Sequence, residues 1–177
     1  MVFIDSRVAD HLTLISGLSA DCDPVWLGAT QDGLGQMQAA LAGRCDLASI
    51  RILAHGRPGA LTIGSGELTR ENLVSHAAEL AAIGRALGAD GDVKIYGCEV
   101  GKGSDGRAFV RALAKACDAA VSASSKPVGH ADLGGEWQLD VGELRTLPLD
   151  NPRWHGLLGV TITPVAHTYD RSAGEWR

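Results

Sequence analysis

Apolar and polar positions along this chain switch between a period near two and a period near 3.6, and the switching predicts its elements. Met1 to Asp5 (MVFID) is a short apolar run, and Val8, Leu12, Ile15 and Leu18 follow at helical spacing, so a strand leads into a helix. Pro24 to Gly28 (PVWLG) reads as a second strand, and Leu34, Met37 and Leu41 mark a second helix that Gly43 ends. Ile50 to Ala54 (IRILA) is a third β-rich run. In Ala60 to Leu68 (ALTIGSGEL) the alternation is broken by Gly64 and Gly66, as in a hairpin. Thr69 is placed to cap the helix that Leu73, Ala77, Leu80 and Leu87 continue, and Asp92 to Gly97 (DVKIYG) returns as a fourth strand. Ser104 to Cys117 carries Phe109, Leu113 and Ala116 on one stripe, after which Ala119 to Ser124 (AAVSAS) and Glu136 to Val141 (EWQLDV) supply a fifth and a sixth strand.

Strands alternating with crossover helices call for a largely parallel sheet covered on both faces, with right-handed connections. The expected fold is therefore a three-layer α/β/α domain over residues 1–150, with about six mostly parallel strands and a small hairpin insertion after the third. After Asn151-Pro152 the periodicity fades, and residues 151–177 read as a C-terminal extension or linker.

Composition narrows the possible functions. At 177 residues, 45% hydrophobic and 21% charged, the chain suits one globular domain and neither a disordered segment nor a coiled coil. Glycine is the outlier, at 23 residues against a usual share of about 7%, which implies many tight turns and close backbone approaches. A net charge of -5 without any block of Lys or Arg removes nucleic acid and anionic membranes as expected partners. No apolar run approaches the roughly 18 residues of a membrane span, and Asp5 and Arg7 interrupt the stretch that a signal peptide would need, so neither membrane insertion nor an N-terminal signal is expected. Cys22, Cys45, Cys98 and Cys117 include no C-x-x-C pair, so they suggest no zinc site and no thioredoxin-type motif.

Two predicted strands run directly into reactive side chains: IRILA into His55-Gly56, and VKIY into Gly97-Cys98. If the two are neighbours in a parallel sheet, their carboxyl ends lie about 5 to 10 Å apart, on the rim where α/β proteins gather ligands. A thiol is mostly protonated at neutral pH, and an adjacent imidazole activates it by taking the proton. The Gly56 N–H is free to approach a carbonyl oxygen closely, as an oxyanion donor must. Cys117 shares the stripe of Phe109 and Leu113 and reads as core, while Cys22 and Cys45 fall in loops. His11, His76, His130, His155 and His167 have no partner nearby in sequence and read as isolated.

An apolar block ending in His-Gly, followed roughly forty residues later by one ending in a small residue and Cys, resembles the clan CD cysteine peptidases, the group of caspases, gingipains, clostripain, legumain and separase. The segments VFIDSRVAD, LAHGRPGALTIGSG, IYGCEVGKG and LGGEWQLD, spanning Val2 to Val141, more closely resemble a bacterial domain family of unassigned function found near the N-terminus of giant exported adhesin-like proteins with calcium-binding or cadherin-like repeats. The resemblance implies a caspase-like fold and a cysteine endopeptidase, with His55 as general acid/base, Cys98 as nucleophile and the Gly56 amide in the oxyanion hole. It further implies that the loop after the first strand, Asp5-Ser6-Arg7, selects the P1 side chain, with Asp5 favouring a basic residue and Arg7 an acidic one; Asp5 is nearer the strand end. The same carboxylate equally suits a cap on the following helix. The substrate class is a peptide or protein, including the downstream part of the chain itself, where Arg171 and Arg177 would be sites for cleavage after a basic residue. Secretion or cell-surface display follows from the resemblance alone. No cofactor is needed for the chemistry, and a calcium requirement enters only by family analogy, since there is no EF-hand or aspartate-rich loop.

Two rival readings stand beside this one. The first is a catalytically silent caspase-like module for adhesion or assembly, since a fold does not carry its function with it. The second is a nucleotide-binding α/β domain, suggested by Gly101-Lys102-Gly103-Ser104-Asp105-Gly106, which matches G-x-G-x-x-G. That motif starts four residues past Gly97 and has no acidic residue closing the next strand, so a flexible glycine loop at the rim of the site is the simpler account.

Overall fold

The computed structural model describes residues 1–159 and, beyond them, only the backbone ladder that pairs Tyr169–Asp170 with Glu175–Trp176. Arg171 and Arg177, and most of the segment expected to form a linker, lie outside the described residues. The apolar runs form the strands β1 (Val2–Asp5), β2 (Pro24–Leu27) and β3 (Leu47–Leu53), with the helices α1 (His11–Ser16) and α2 (Gly33–Leu41) between them. A three-stranded antiparallel insertion follows, built from β4 (Gly56–Arg57), β5 (Ala60–Ile63) and β6 (Gly66–Thr69). Arg70–His76 is a 3-10 turn in which the Thr69 N–H donates to Asn72 Oδ1 at 2.9 Å, and α3 (Ala77–Arg85) continues it. The chain then forms β7 (Leu87–Tyr96), α4 (Gly103–Cys117), β8 (Ala120–Ala123) and β9 (Val141–Gly142).

The main sheet has the order β2-β1-β3-β7-β8-β9, parallel throughout except for the antiparallel β8–β9 pair. This is the expected three-layer architecture with its insertion after the third strand. The expected sixth strand is much reduced: of Glu136 to Val141 only Val141 enters the sheet, and Glu136 makes an isolated bridge to Val128. Trp137 is buried against Tyr96 and Trp154, with ring centroids 5.9 Å from each, so this stretch packs by its side chains over the sheet.

Period-two alternation splits the buried residues into two clusters. Phe3, Ile50, Ile52, Val93, Ile95 and Val121 face the stripes of α2, α3 and α4, where Leu34, Met37, Leu80, Ile83, Phe109 and Leu113 meet them. Val2, Ile4, Leu53 and Tyr96 face the other way, against Leu14 of α1 and the irregular run that brings in Val128, Trp137, Leu149, Trp154 and Leu158. On this second face β7 also buries Asp92 and Lys94 completely. Their ion pair is 2.7 Å long, and Asp92 Oδ2 accepts further hydrogen bonds from the Arg145 and Thr146 N–H groups at 2.8 and 2.9 Å. Burial pushes the Asp92 carboxyl up, but Lys94 and these amides outweigh it and hold the group at about 2. Residues 151–159 belong to the same packing: Asn151 Nδ2 donates to the Leu14 carbonyl at 2.8 Å, and Trp154 Nε1 to the Ala9 carbonyl at 2.9 Å.

Candidate active site

The register Ile52↔Ile95 and Leu53↔Tyr96 brings the ends of β3 and β7 level. Two residues beyond this last pair stand His55 and Cys98, which the alternation of Leu53 and Tyr96 directs to the second face of the sheet. Sequence reasoning therefore placed both groups on the rim they occupy. Close packing of the strand ends requires glycine: a Cβ on Gly56 would lie 2.5 Å from Val100 Cγ2, and one on Gly97 would lie 3.0 Å from the Ala54 carbonyl oxygen. Directly after Cys98, Glu99 adopts a left-handed conformation (φ 58°), a conformation uncommon outside glycine that turns the chain sharply there.

What lies between the histidine and the cysteine is the chain itself. The Leu158 carbonyl oxygen accepts from the Cys98 N–H at 2.7 Å and from the Gly56 N–H at 3.1 Å. Two main-chain donors converging on one carbonyl oxygen, one of them from the cysteine residue, have the geometry of an oxyanion hole. A Cβ on Gly159 would lie 3.2 Å from Cys98 Sγ, so the thiol rests against the residue that follows this carbonyl. The Val128 N–H donates to the sulfur at 3.2 Å. Burial pushes the Cys98 thiol up from its ordinary value, and the Glu99 charge adds to this, while the hydrogen bonds from Val128 and Leu158 partly offset it. At neutral pH the group is a thiol, and its S–H donates to the Val128 carbonyl oxygen at 3.6 Å.

The His55 ring is oriented by a backbone atom. Its Nε2 is 3.3 Å from the Arg7 carbonyl oxygen, an acceptor that fixes the proton on Nε2, while Nδ1 is buried and has no partner among the described residues. Nδ1 is thus the nitrogen left to accept a proton. The Arg7 carbonyl is in turn held by Asp5, whose carboxylate accepts from the Arg7 N–H at 3.0 Å, Arg7 Nε at 2.9 Å, Arg7 Nη2 at 3.1 Å and the Gly64 N–H at 2.9 Å. Burial pushes the Asp5 carboxyl up, but these hydrogen bonds prevail and hold it below its ordinary value. Asp5 is 1% exposed with its oxygens engaged, and the N-cap position of α1 is held not by Asp5 but by Asp10, in a left-handed conformation, whose Oδ1 accepts from the Thr13 hydroxyl at 2.9 Å rather than from a helix N–H. Asp5 thus braces the loop that orients the histidine.

Other expectations meet their surroundings here. Cys117 is core, its thiol pushed by burial to about 12, and Cys22 Sγ lies 3.0 Å from Arg51 Nη1. Gly101 and Gly106 are packing residues rather than a flexible loop, since a Cβ on Gly106 would come within 2.3 Å of the Gly101 carbonyl carbon and one on Gly101 within 2.8 Å of Val141 Cβ. His130 and His155, which read as isolated in the sequence, lie with ring centroids 4.3 Å apart and planes tilted by 49°, and with Asp132 their ligand atoms lie within 4.8 Å of one another. Two imidazoles and one carboxylate suit a borderline metal such as zinc better than calcium, which prefers oxygen ligands. The groups that sequence reasoning missed are the Arg7 carbonyl, the Cys98 N–H, the Val128 N–H and the Leu158 carbonyl; all four act through the main chain, which leaves no mark on residue type.

Among the described residues no helix is long and apolar enough to cross a membrane. No curated protein and no solved structure matches the chain. A family model described as "Domain of unknown function (DUF4347)" matches residues 1–154, a span that contains β1 to β9, Cys98, His55 and Trp154, and the chain belongs to that family.

Proposed function

We propose that this domain is a cysteine endopeptidase of the clan CD type, with Cys98 as nucleophile and His55 as general acid/base. The observation that carries the reading is the paired donation of the Gly56 and Cys98 N–H groups to one peptide carbonyl oxygen, beside the thiol. In the acylation step His55 Nδ1 takes the thiol proton, and Sγ attacks the carbonyl carbon of the bound peptide. The two N–H groups stabilise the oxyanion, a contribution of about 3–4 kcal/mol per donor in comparable sites. His55 returns the proton to the leaving amine, the C–N bond breaks, and water hydrolyses the thioester to a carboxylate and the free thiol. Burial holds the Cys98 thiol above its ordinary value, so the reading rests on the donor geometry and requires His55 to remove the proton during the attack. No metal or cofactor enters these steps. The adhesin-like setting implied by the sequence would make the domain a processing module of a larger exported protein.

The rival, a silent module, draws on the same burial of Cys98, and one experiment separates the two. In the full chain carrying Leu158→Asp, the new carboxylate should be expelled from the apolar cluster that holds Leu158, which should open the site to added ligands. A mixture of peptidyl acyloxymethyl ketones should then label Cys98 in preference to Cys22, Cys45 and Cys117, as read by peptide mass mapping. His55→Ala in the same background should slow that labelling at least tenfold. Labelling that ignores His55, or that falls on exposed Cys45 instead, defeats the peptidase reading; thermal melting of each variant confirms that it is folded.

A further inference from the structure

We infer that the site's substrate is the Leu158–Gly159 peptide bond of the chain itself, cleaved in cis, with an aliphatic residue at P1. The inference rests on the peptidase reading and adds the identity of the bond. Residues 156–159 lie in the cleft as an extended peptide substrate would. The Leu158 N–H donates to the Val128 carbonyl at 2.9 Å, and the Gly156 carbonyl accepts from the His130 N–H at 2.9 Å, so the segment adds an antiparallel strand to residues 128–130. On its other side Gly159 bridges to Gly56 in parallel. Main-chain pairing of this kind holds a peptide regardless of its sequence and leaves specificity to the side-chain slots. One such slot is filled: the Leu158 side chain is fully buried in the cluster of Leu53, Tyr96, Val128, Trp137 and Trp154.

Close approach is built in at both ends of the segment. Gly129, at φ 142°, lets the chain lie flat on it, since any Cβ there would stand 2.1 Å from the Gly156 carbonyl oxygen. At Gly159 a side chain would crowd the thiol. The P1 class differs from the basic residue that Asp5 suggested in the sequence, because Asp5 spends its oxygens on Arg7 and Gly64 and the slot that receives Leu158 is apolar. Chemically, Cys98 Sγ bonds to the Leu158 carbonyl carbon, the bond to the Gly159 nitrogen breaks, and Gly159 leaves as an amine carrying the proton delivered by His55. One water then converts the Leu158 thioester to a carboxylate.

Intact mass of the full chain after purification, followed over hours at neutral pH, tests this directly. The expected result is a fragment ending at Leu158 and one beginning at Gly159, formed at a rate independent of protein concentration and absent in Cys98→Ala. In water enriched in ¹⁸O the new Leu158 carboxylate gains one heavy oxygen. Leu158→Met should be cut within a few-fold of the wild-type rate, Leu158→Arg at least a hundredfold more slowly, and Gly159→Val at least tenfold more slowly. Cleavage at another bond, a rate that rises with concentration, or Leu158→Arg cut as fast as wild type overturns the inference. An uncut wild-type chain whose Cys98 is still labelled by ketone probes in the Leu158→Asp background rejects the cis substrate and leaves the peptidase reading intact; loss of both results rejects both.

Discussion

The two faces of the sheet are closed in different ways. On one face α2, α3 and α4 lay regular stripes over Phe3, Ile52, Val93 and Ile95, and the contact is apolar along its whole length. On the other, α1 covers only part of the sheet, and the rest is covered by a run with little regular structure. That run is tied down residue by residue: the Leu149 N–H to the Tyr96 hydroxyl at 2.5 Å, Asn151 to Leu14, Trp154 to Ala9, and the amides of Arg145 and Thr146 to Asp92. A helical cover spreads its contacts along a regular stripe; a tethered cover can be shaped to lay a peptide into a cleft. The candidate site sits on the tethered face.

The contrast is broken most severely at the buried ion pair. Asp92→Ala leaves Lys94 charged and unpaired at 0% exposure, and a loss of about 3–5 kcal/mol in urea unfolding is expected. Leu113→Ala, on the helical face, should cost about 2–5 kcal/mol through its cavity, yet amide exchange in residues 149–158 should quicken only as much as global stability falls. Tyr96→Phe should do the reverse. It orphans the Leu149 N–H for a cost of about 1–3 kcal/mol, and the Leu149 and Leu158 amides should exchange faster than those of Val93 and Ile95; uniform acceleration across both faces would deny that the cover opens locally.

Acid probes the same tethers. The folded Asp92 carboxyl titrates at about 2, below the 3.8 of the unfolded chain, so its contribution is complete above about pH 4 and is lost as pH falls through 2. That contribution is about 2 kcal/mol, and the stability gap between wild type and Asp92→Asn should narrow by this amount between pH 5 and pH 2. A gap that does not change with pH would mean that the carboxyl is not held low. The smallest effect is expected from Trp154→Phe, which removes one hydrogen bond to the Ala9 carbonyl for about 1 kcal/mol and should leave the melting of the helical face unaltered.

The helical face was legible in the sequence because Leu34, Met37, Phe109 and Leu113 keep a period that only a helix satisfies. The strand ends were legible for the same reason: ILA and IYG are continuous buried runs, and the residues that follow them are chemically distinctive. β7 starts at Leu87, earlier than its pattern suggests, because Gly88, Asp90 and Gly91 carry no alternation and a register shift between Leu47 and Ser49 absorbs the irregularity. The tethered cover had no period to read. Trp137, Leu149, Trp154 and Leu158 are spaced by contacts with the sheet, and nothing local marks them as neighbours of Cys98. Asp5 was found for its position after β1, but its work as a brace for the Arg7 carbonyl depends on Gly64, which is distant in sequence.

The double hydrogen bond to Leu158 has a last consequence. Once the peptide is cut, the Asn151 and Trp154 tethers and the buried Leu158 side chain still hold residues 151–158 where they are, and the new carboxylate offers the Gly56 and Cys98 amides a stronger partner than the carbonyl did. On the proposed reading such a domain would act as a fuse, firing once and then blocking its own socket. A competing leucyl peptide added to the cut protein should therefore be turned over less than once per chain, and repeated turnover would show that the severed end lets go.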